Sequence, residues 1–288
     1  MKPIDRDMLI HWLFATRALR AAPADEPFWY TSGTLGPYYI NTHFLFGSED
    51  DANALLRRID ELAASPLDLP AAMHAAVLRQ YEQNPIYRQL MDQIAARLAT
   101  APGTLISGGE RRDYFFSVCA AHLLGKPHVY LFKDQTAVFS PSDGQNAEKL
   151  EDSALAGSVA CHVADLVTEA SSYTRAWLPA LRRIGARMPM TLAVVDRNQN
   201  GRQVLEAEGT RLVSLMTIDQ ELFHQARAAG LIDAAQLDQI LRFTADPQAY
   251  MRLFLREHPA FLAEQLALGG KNAERARRCL ESGYGPEN

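Results

Sequence analysis

The sequence predicts an α/β protein whose mostly parallel central sheet is flanked by helices, with a small N-terminal hood and additional helical segments. The prediction rests on residues 104–219, where short apolar runs (TLISGG, HVYLFK, VACHVADLV, MTLAVVD, RLVSLMTI) alternate with helical stretches at 114–124, 172–184 and 202–208. Strands separated by helix-length crossovers pair in parallel. It rests also on the helical patterning of 48–103 and of the chain from 220 onward, which confines the main strands to the middle of the sequence.

Taken in order, residues 1–47 form the hood. Met8, Leu9, Trp12 and Leu13 have helical spacing, and FWYTSGTLGPYYINTHFLFG then mixes aromatics with Gly and Pro, as short strands and turns do. Residues 48–103 form a helical segment in which Leu55, Ile59 and Leu62 share a face. Asn84-Pro85 supplies a cap and a first-turn proline ahead of the stripe Ile86, Leu90, Ile94, Leu98. Residues 104–219 are the α/β core, and 220–288 a C-terminal helical extension with a start signal at Asp246-Pro247. No internal repeat or low-complexity tract interrupts this plan.

At 288 residues and 48% hydrophobic, the chain buries a substantial core without staples. A net charge of -5 on that composition excludes disorder as the main theme. There is no run of apolar residues long enough for a transmembrane helix, and MKPIDRDMLIHW lacks the pattern of a secretory signal, so no membrane partner is expected. Cys119, Cys161 and Cys279 are odd in number and far apart, which suits reduced thiols in a cytoplasmic protein. The histidines show no metal-ligand spacing, so no protein-held metal is expected. An acidic balance disfavours nucleic acid as a partner.

The segment CHVADLVTEASSYTRAWLPALRRIGA at 161–186 carries the most chemistry. A buried strand reaches Asp165, a loop rich in Thr and Ser follows, and a helix begins. Helix N-terminal N–H groups with the hydroxyls of Thr168, Ser171 and Ser172 would cradle a phosphate, and an acid beside them would accept hydrogen bonds from sugar hydroxyls. The plainer reading is a hydroxyl-rich N-cap. Elsewhere, His162 reads as a satisfied core histidine, and His122 and His128 as surface residues around the Gly125-Lys126-Pro127 turn. Cys161 reads as a small buried hydrophobe, Arg182 and Arg183 as a solvated face, RARR at 275–278 as helix-end stabilisation, and the Leu and Phe positions at 251–266 as packing, against the N-terminal segment or a second subunit.

This string resembles the phosphate motif of type I phosphoribosyltransferases, and its neighbours narrow the resemblance to orotate phosphoribosyltransferase. TSGTLGPYYI at 31–40 resembles that family's early Ser-Gly loop. LISGGERRDYFFSVCAAHLLGKPHVYLFKD at 105–134 resembles its pyrophosphate loop and the next strand, and AVVDRNQNGRQVLEAEG at 193–209 its Asp-Arg strand and following helix. The resemblance implies roles by position. Ser32 and Gly33 would form a turn near pyrophosphate, and Tyr38 and Tyr39 would offer aromatic faces to a pyrimidine. Arg112, with Arg111 beside it, and Lys133 would face the leaving pyrophosphate. Asp165 would bind the ribose hydroxyls, Thr168, Ser171 and Ser172 the 5-phosphate, and Arg197 the carboxylate of orotate. It also implies Mg²⁺ carried by phosphoribosyl pyrophosphate and a homodimer.

Several positions depart from the family's pattern. Ala164 stands where the first of two acids belongs, Glu169 and Ala170 replace a small residue and a glycine, and Thr31 replaces a lysine. Phe132 replaces the first member of a basic pair, and Thr136 and Val138 stand where a flexible loop carries lysine and histidine; Lys149 lies further along. Two functions therefore fit the sequence: transfer of phosphoribosyl to orotate or a related acidic heterocycle, and regulatory binding of a phosphoribosyl ligand or nucleotide without turnover.

Overall fold

A computed structural model describes residues 5–284. The outermost residues of the hood and of the C-terminal extension read above, 1–4 and 285–288, lie outside the described residues.

Asp5 accepts the N–H of Asp7 and starts α1 (Arg6–Ala15), which buries Leu9, Ile10, Trp12 and Leu13. Short strands follow: β1 (Leu19–Ala21), β2 (Phe28–Trp29), β3 (Leu35–Gly36) and β4 (Tyr38–Ile40). After a 3₁₀ turn at Thr42–Phe46 come α2 (Glu49–Glu61), α3 (Leu69–Gln83) and α4 (Pro85–Leu98). Asn84 caps α4 as its sequence signal predicts, its side chain accepting from the Tyr87 N–H at 2.9 Å. The α/β stretch contains β5 (Leu105–Gly109), α5 (Tyr114–Leu124), β6 (His128–Leu131), β7 (Ala137–Ser140), β8 (Glu148–Lys149) and β9 (Val159–Val167). It continues through a π-helical turn into α6 (Leu178–Arg183), then β10 (Arg187–Asp196), α7 (Gly201–Ala207) and β11 (Arg211–Thr217). Helices α8 (Gln220–Ala228), α9 (Ala234–Ala245), α10 (Pro247–Glu257), α11 (Phe261–Leu268) and α12 (Gly270–Glu281) complete the chain.

These elements form two compact units whose limits are not the segment limits drawn from the sequence. One takes the chain up to Ala18 together with Thr42–Asp219; the other takes Leu19–Asn41 with the chain from Gln220. In the first, seven strands lie in the order β11-β10-β9-β5-β6-β7-β8. The pairs from β11 to β6 are parallel, and β7 and β8 add an antiparallel edge that the sequence pattern did not separate from the loop after Lys133. Apolar side chains of β5, β6, β9 and β10 bury one face of this sheet with Tyr173, Trp177, Leu178 and Leu181.

In the second unit β1 pairs with β4 and β2 with β3, both antiparallel. Trp29 and Leu35 share an apolar cluster with Met251, Phe254, Leu262 and Ala276. The Leu and Phe positions of 251–266 are thus packing, and their partners are the aromatic strands near the N-terminus. Gly33 makes this possible. Its φ is +85° in the turn between β2 and β3, and a Cβ there would stand 2.7 Å from Arg278 Cβ and 3.0 Å from the α12 backbone. Gly33→Ala meets both strain and overlap, so it should lower the unfolding free energy by about 1–3 kcal/mol, read by urea titration.

Candidate functional site

The first unit holds a cavity of about 360 Å³ beyond the carboxyl ends of β5, β6 and β9. It is lined by Glu110, Arg111, Arg112 and Asp113 after β5, by Lys133 after β6, and by the run 164–173 with Trp177. Open α/β sheets place ligands here because loops rather than side-chain layers cap the strand ends.

Seven residues expected at a phosphoribosyl site therefore come together: Arg111, Arg112, Lys133, Asp165, Thr168, Ser171 and Ser172. Arg112 and Lys133 are exposed, whereas Arg111 is half-buried and paired with Asp60. Ser172 makes no side-chain capping bond to the helix it precedes, so its hydroxyl is not spent as an N-cap. Ala170 holds a φ of +54°, which takes the loop through the turn that a glycine would make without cost. Glu169 is exposed at the cavity rim, in the loop that carries the hydroxyls.

Asp165 is nearly buried on β9, and its backbone N–H donates to Asp113 Oδ1 at 3.0 Å. Burial, and then the neighbouring Asp113 carboxylate, push the Asp165 carboxyl well above the usual carboxylate range, against the opposing pull of Arg112. Asp113 also accepts from the Gly109 N–H at 2.9 Å and lies 3.2 Å from His162 Nε2. Sequence reasoning missed Asp113, for which the only signal was an acid directly behind the Arg111-Arg112 pair at a helix start. It missed His43 too. This buried ring is pushed down to about 3, first by burial and then by the charges of Arg112 and Arg111.

Other expectations are corrected. His128 is not at the surface: it lies within β6, 1% exposed, with Nε2 2.9 Å from Ser117 Oγ, because the strand begins at this residue directly after the turn. His162 is the satisfied core histidine expected, Nδ1 lying 3.0 Å from Ser107 Oγ. Ser107, His162 and Asp113 follow the order of an acyl-transfer relay, but Ser107 is fully buried and offers no nucleophile. Thr136 and Val138 belong to the β6–β7 hairpin. Asp134 accepts the N–H and hydroxyl of Thr136, Val138 pairs with Tyr130, and Lys149 lies on β8.

The base-binding expectations are not assembled in this cavity. Arg197 follows β10, donating its backbone N–H to Val167 O; its Nε is buried without a hydrogen-bond partner, and it does not line the cavity. Ser32, Gly33, Tyr38 and Tyr39 belong to the second unit. Tyr38 is 4% exposed with its ring against Phe223 and Phe243. Tyr39 is half-buried against Phe28 and Tyr30, with the Arg20 guanidinium 5.9 Å from its ring centre.

No protein-family model matches the chain. An orotate phosphoribosyltransferase of Cereibacter sphaeroides is 30% identical over 193 residues, which are 64% of this chain and 78% of that protein. A solved orotate phosphoribosyltransferase of Francisella tularensis superposes with a TM-score of 0.52 at 11% identity, over 82% of this chain and 96% of that one. The UMP synthase of Leishmania donovani gives 0.51 at 16% identity over 84% of this chain, which spans only 42% of that longer protein.

Proposed function

Because the chain belongs to the orotate phosphoribosyltransferase family within the type I phosphoribosyltransferases, as a divergent member, we propose that it transfers phosphoribosyl from phosphoribosyl pyrophosphate to orotate or a related acidic heterocycle. The observation that carries this reading is one cavity joining two cationic side chains, Arg112 and Lys133, to an acid, Asp165, and a hydroxyl-lined loop. In the reaction the C1–oxygen bond to pyrophosphate breaks as a base nitrogen bonds to C1, and the proton of that nitrogen leaves to solvent. Positive charge grows on the ribose ring and negative charge on the leaving group. Arg112 and Lys133 answer the second by electrostatic stabilisation, and Arg112 adds a fork that fits phosphate oxygens.

Among the described residues no group of three or more His, Cys, Asp or Glu side chains converges to hold a metal ion. Mg²⁺ would instead be carried on the substrate's pyrophosphate and ribose oxygens, where it neutralises leaving-group charge. The test is multiple-turnover release of pyrophosphate from phosphoribosyl pyrophosphate, Mg²⁺ and orotate; saturable binding without release sinks the transferase. That outcome would favour a second reading, a protein that binds a phosphoribosyl ligand in a regulatory role. Its motivation is the hairpin that occupies the Thr136 and Val138 positions, together with Glu169 in the phosphate loop.

Glu169 gives a further check. A carboxylate within a few ångströms of a bound phosphate repels it by about 1–2 kcal/mol at a solvated rim. Glu169→Gln should bind ribose 5-phosphate roughly tenfold more tightly by calorimetry. Unchanged affinity would remove Glu169 from the phosphate's surroundings.

A further inference from the structure

Asp113 accepts hydrogen bonds from three directions. The Gly109 N–H at the end of β5 and the His162 ring reach Oδ2, and the Asp165 N–H of β9 reaches Oδ1. A carboxylate only accepts, so His162 Nε2 carries the ring proton and Nδ1 accepts from the Ser107 hydroxyl. Ser107 and His162 are fully buried, whereas Asp113 and Asp165 both line the cavity. The line Ser107–His162–Asp113 thus starts inside the sheet and ends on the cavity wall, against the acid that faces it.

A strut joining β5, β9 and the start of α5 accounts for the hydrogen bonds alone. It does not account for a second carboxyl group set beside Asp165, since two like groups in one buried place oppose each other's ionisation and disfavour the fold. Such pairs are retained where a site uses them. We propose that Asp113 is a positioning residue, which aims the Asp165 carboxyl group at a vicinal diol in the cavity and is itself held for this by His162 and Ser107. The inference rests on the phosphoribosyl reading of the cavity. An ionised carboxylate accepts from ribose hydroxyls, and a backbone tether at Oδ1 with a ring at Oδ2 leaves Asp113 no second orientation.

The groups facing Asp165 are Asp113 from the start of α5, Arg112 from the loop before it, and the Tyr173 hydroxyl from the helix after the phosphate loop. His162 stands behind Asp113, with His128 beyond it. Because the Asp165 carboxyl is held above its ordinary range, it loses its proton, and gains acceptor capacity for a diol, only as pH rises.

The experiment is calorimetric titration of phosphoribosyl pyrophosphate with Mg²⁺ into the full-length protein from about pH 5 to 9, with melting temperature as the check on folding. For the wild type, affinity should rise with pH; Asp165→Asn should remove that step and leave only the titration of the ligand's own phosphates. Asp113→Asn should move the midpoint down, since the like charge is gone. It should also bind roughly tenfold more weakly at high pH, since the aim is lost. If Asp113→Asn does not fold, His162→Gln decides, with several-fold weaker binding at high pH expected. A folded variant with midpoint and affinity unchanged overturns the inference and leaves the phosphoribosyl reading standing. Absence of binding by the wild type overturns that reading, and the inference with it.

Discussion

Arg112→Ala should lower the rate of pyrophosphate release by roughly a hundred- to a thousandfold, the loss of about 3–4 kcal/mol that follows removal of one well-placed charge donor from a leaving group. Arg112 stands at the cavity, exposed, between the Glu110–Arg111 peptide and Asp113 at the start of α5. Arg111 does not replace it, because its guanidinium is engaged by Asp60. Lys133 also lines the cavity and on this reading keeps one positive charge near the leaving group, so the variant should retain binding better than turnover: kcat should fall more than KM rises. Arg112→Lys should recover part of the rate but not the fork, and settle between the two. Steady-state kinetics with orotate as acceptor checks the order. If Arg112→Ala turns over at the wild-type rate, the leaving group is not where Arg112 points.

Trp177→Ala should lower the unfolding free energy by about 3–5 kcal/mol, among the largest single-residue losses available in the first unit. The indole is 3% exposed and packs with Ala164, Tyr173, Leu178 and Leu181 beside the loop at 168–172. It also explains Gly109: a Cβ at that position would run into the indole ring, so the strand end and the aromatic are cut to fit each other. Truncation leaves a void beside the end of β5 and the loop at 168–172, and the packed surroundings collapse poorly. Chemical denaturation measures the loss. A change below about 1 kcal/mol would mean that the loop, and not the indole, sets the packing there.

Much of this fold is legible in the sequence because periodicity and caps agree. Asn84-Pro85 and Asp246-Pro247 start helices where their signals lie, and the helix read at 114–124 is α5. The antiparallel strands β7 and β8 escaped because AVFS and EK are too short to show a period. The apolar spacing of 251–266 leaves its partner open between the N-terminal segment and a second subunit, because contacts such as that of Trp29 with Phe261 leave no mark in either local pattern. At the site, residues carried by one contiguous motif were found: Asp165, Thr168, Ser171 and Ser172 all line the cavity. Asp113 and His162 were not found as partners, since 49 residues separate them and their meeting depends on the pairing of β5 with β9. The packing of Tyr38 is not legible for the opposite reason. Its motif is local, but Phe223 and Phe243, which occupy its ring, come from helices far along the chain.

Phe132–Thr136 closes as a tight turn, with the Phe132 N–H donating to Thr136 O and the Gln135 N–H to Phe132 O. A turn tied at both ends has no slack with which to fold over a ligand. Enzymes that shut a loop on their substrate commonly wait for it to reopen before product escapes. In this chain the turn at Phe132–Thr136 would impose no such wait on a turnover. On the transferase reading, keeping water from C1 would fall to the acceptor base and the rest of the cavity, and donor without acceptor would be open to hydrolysis.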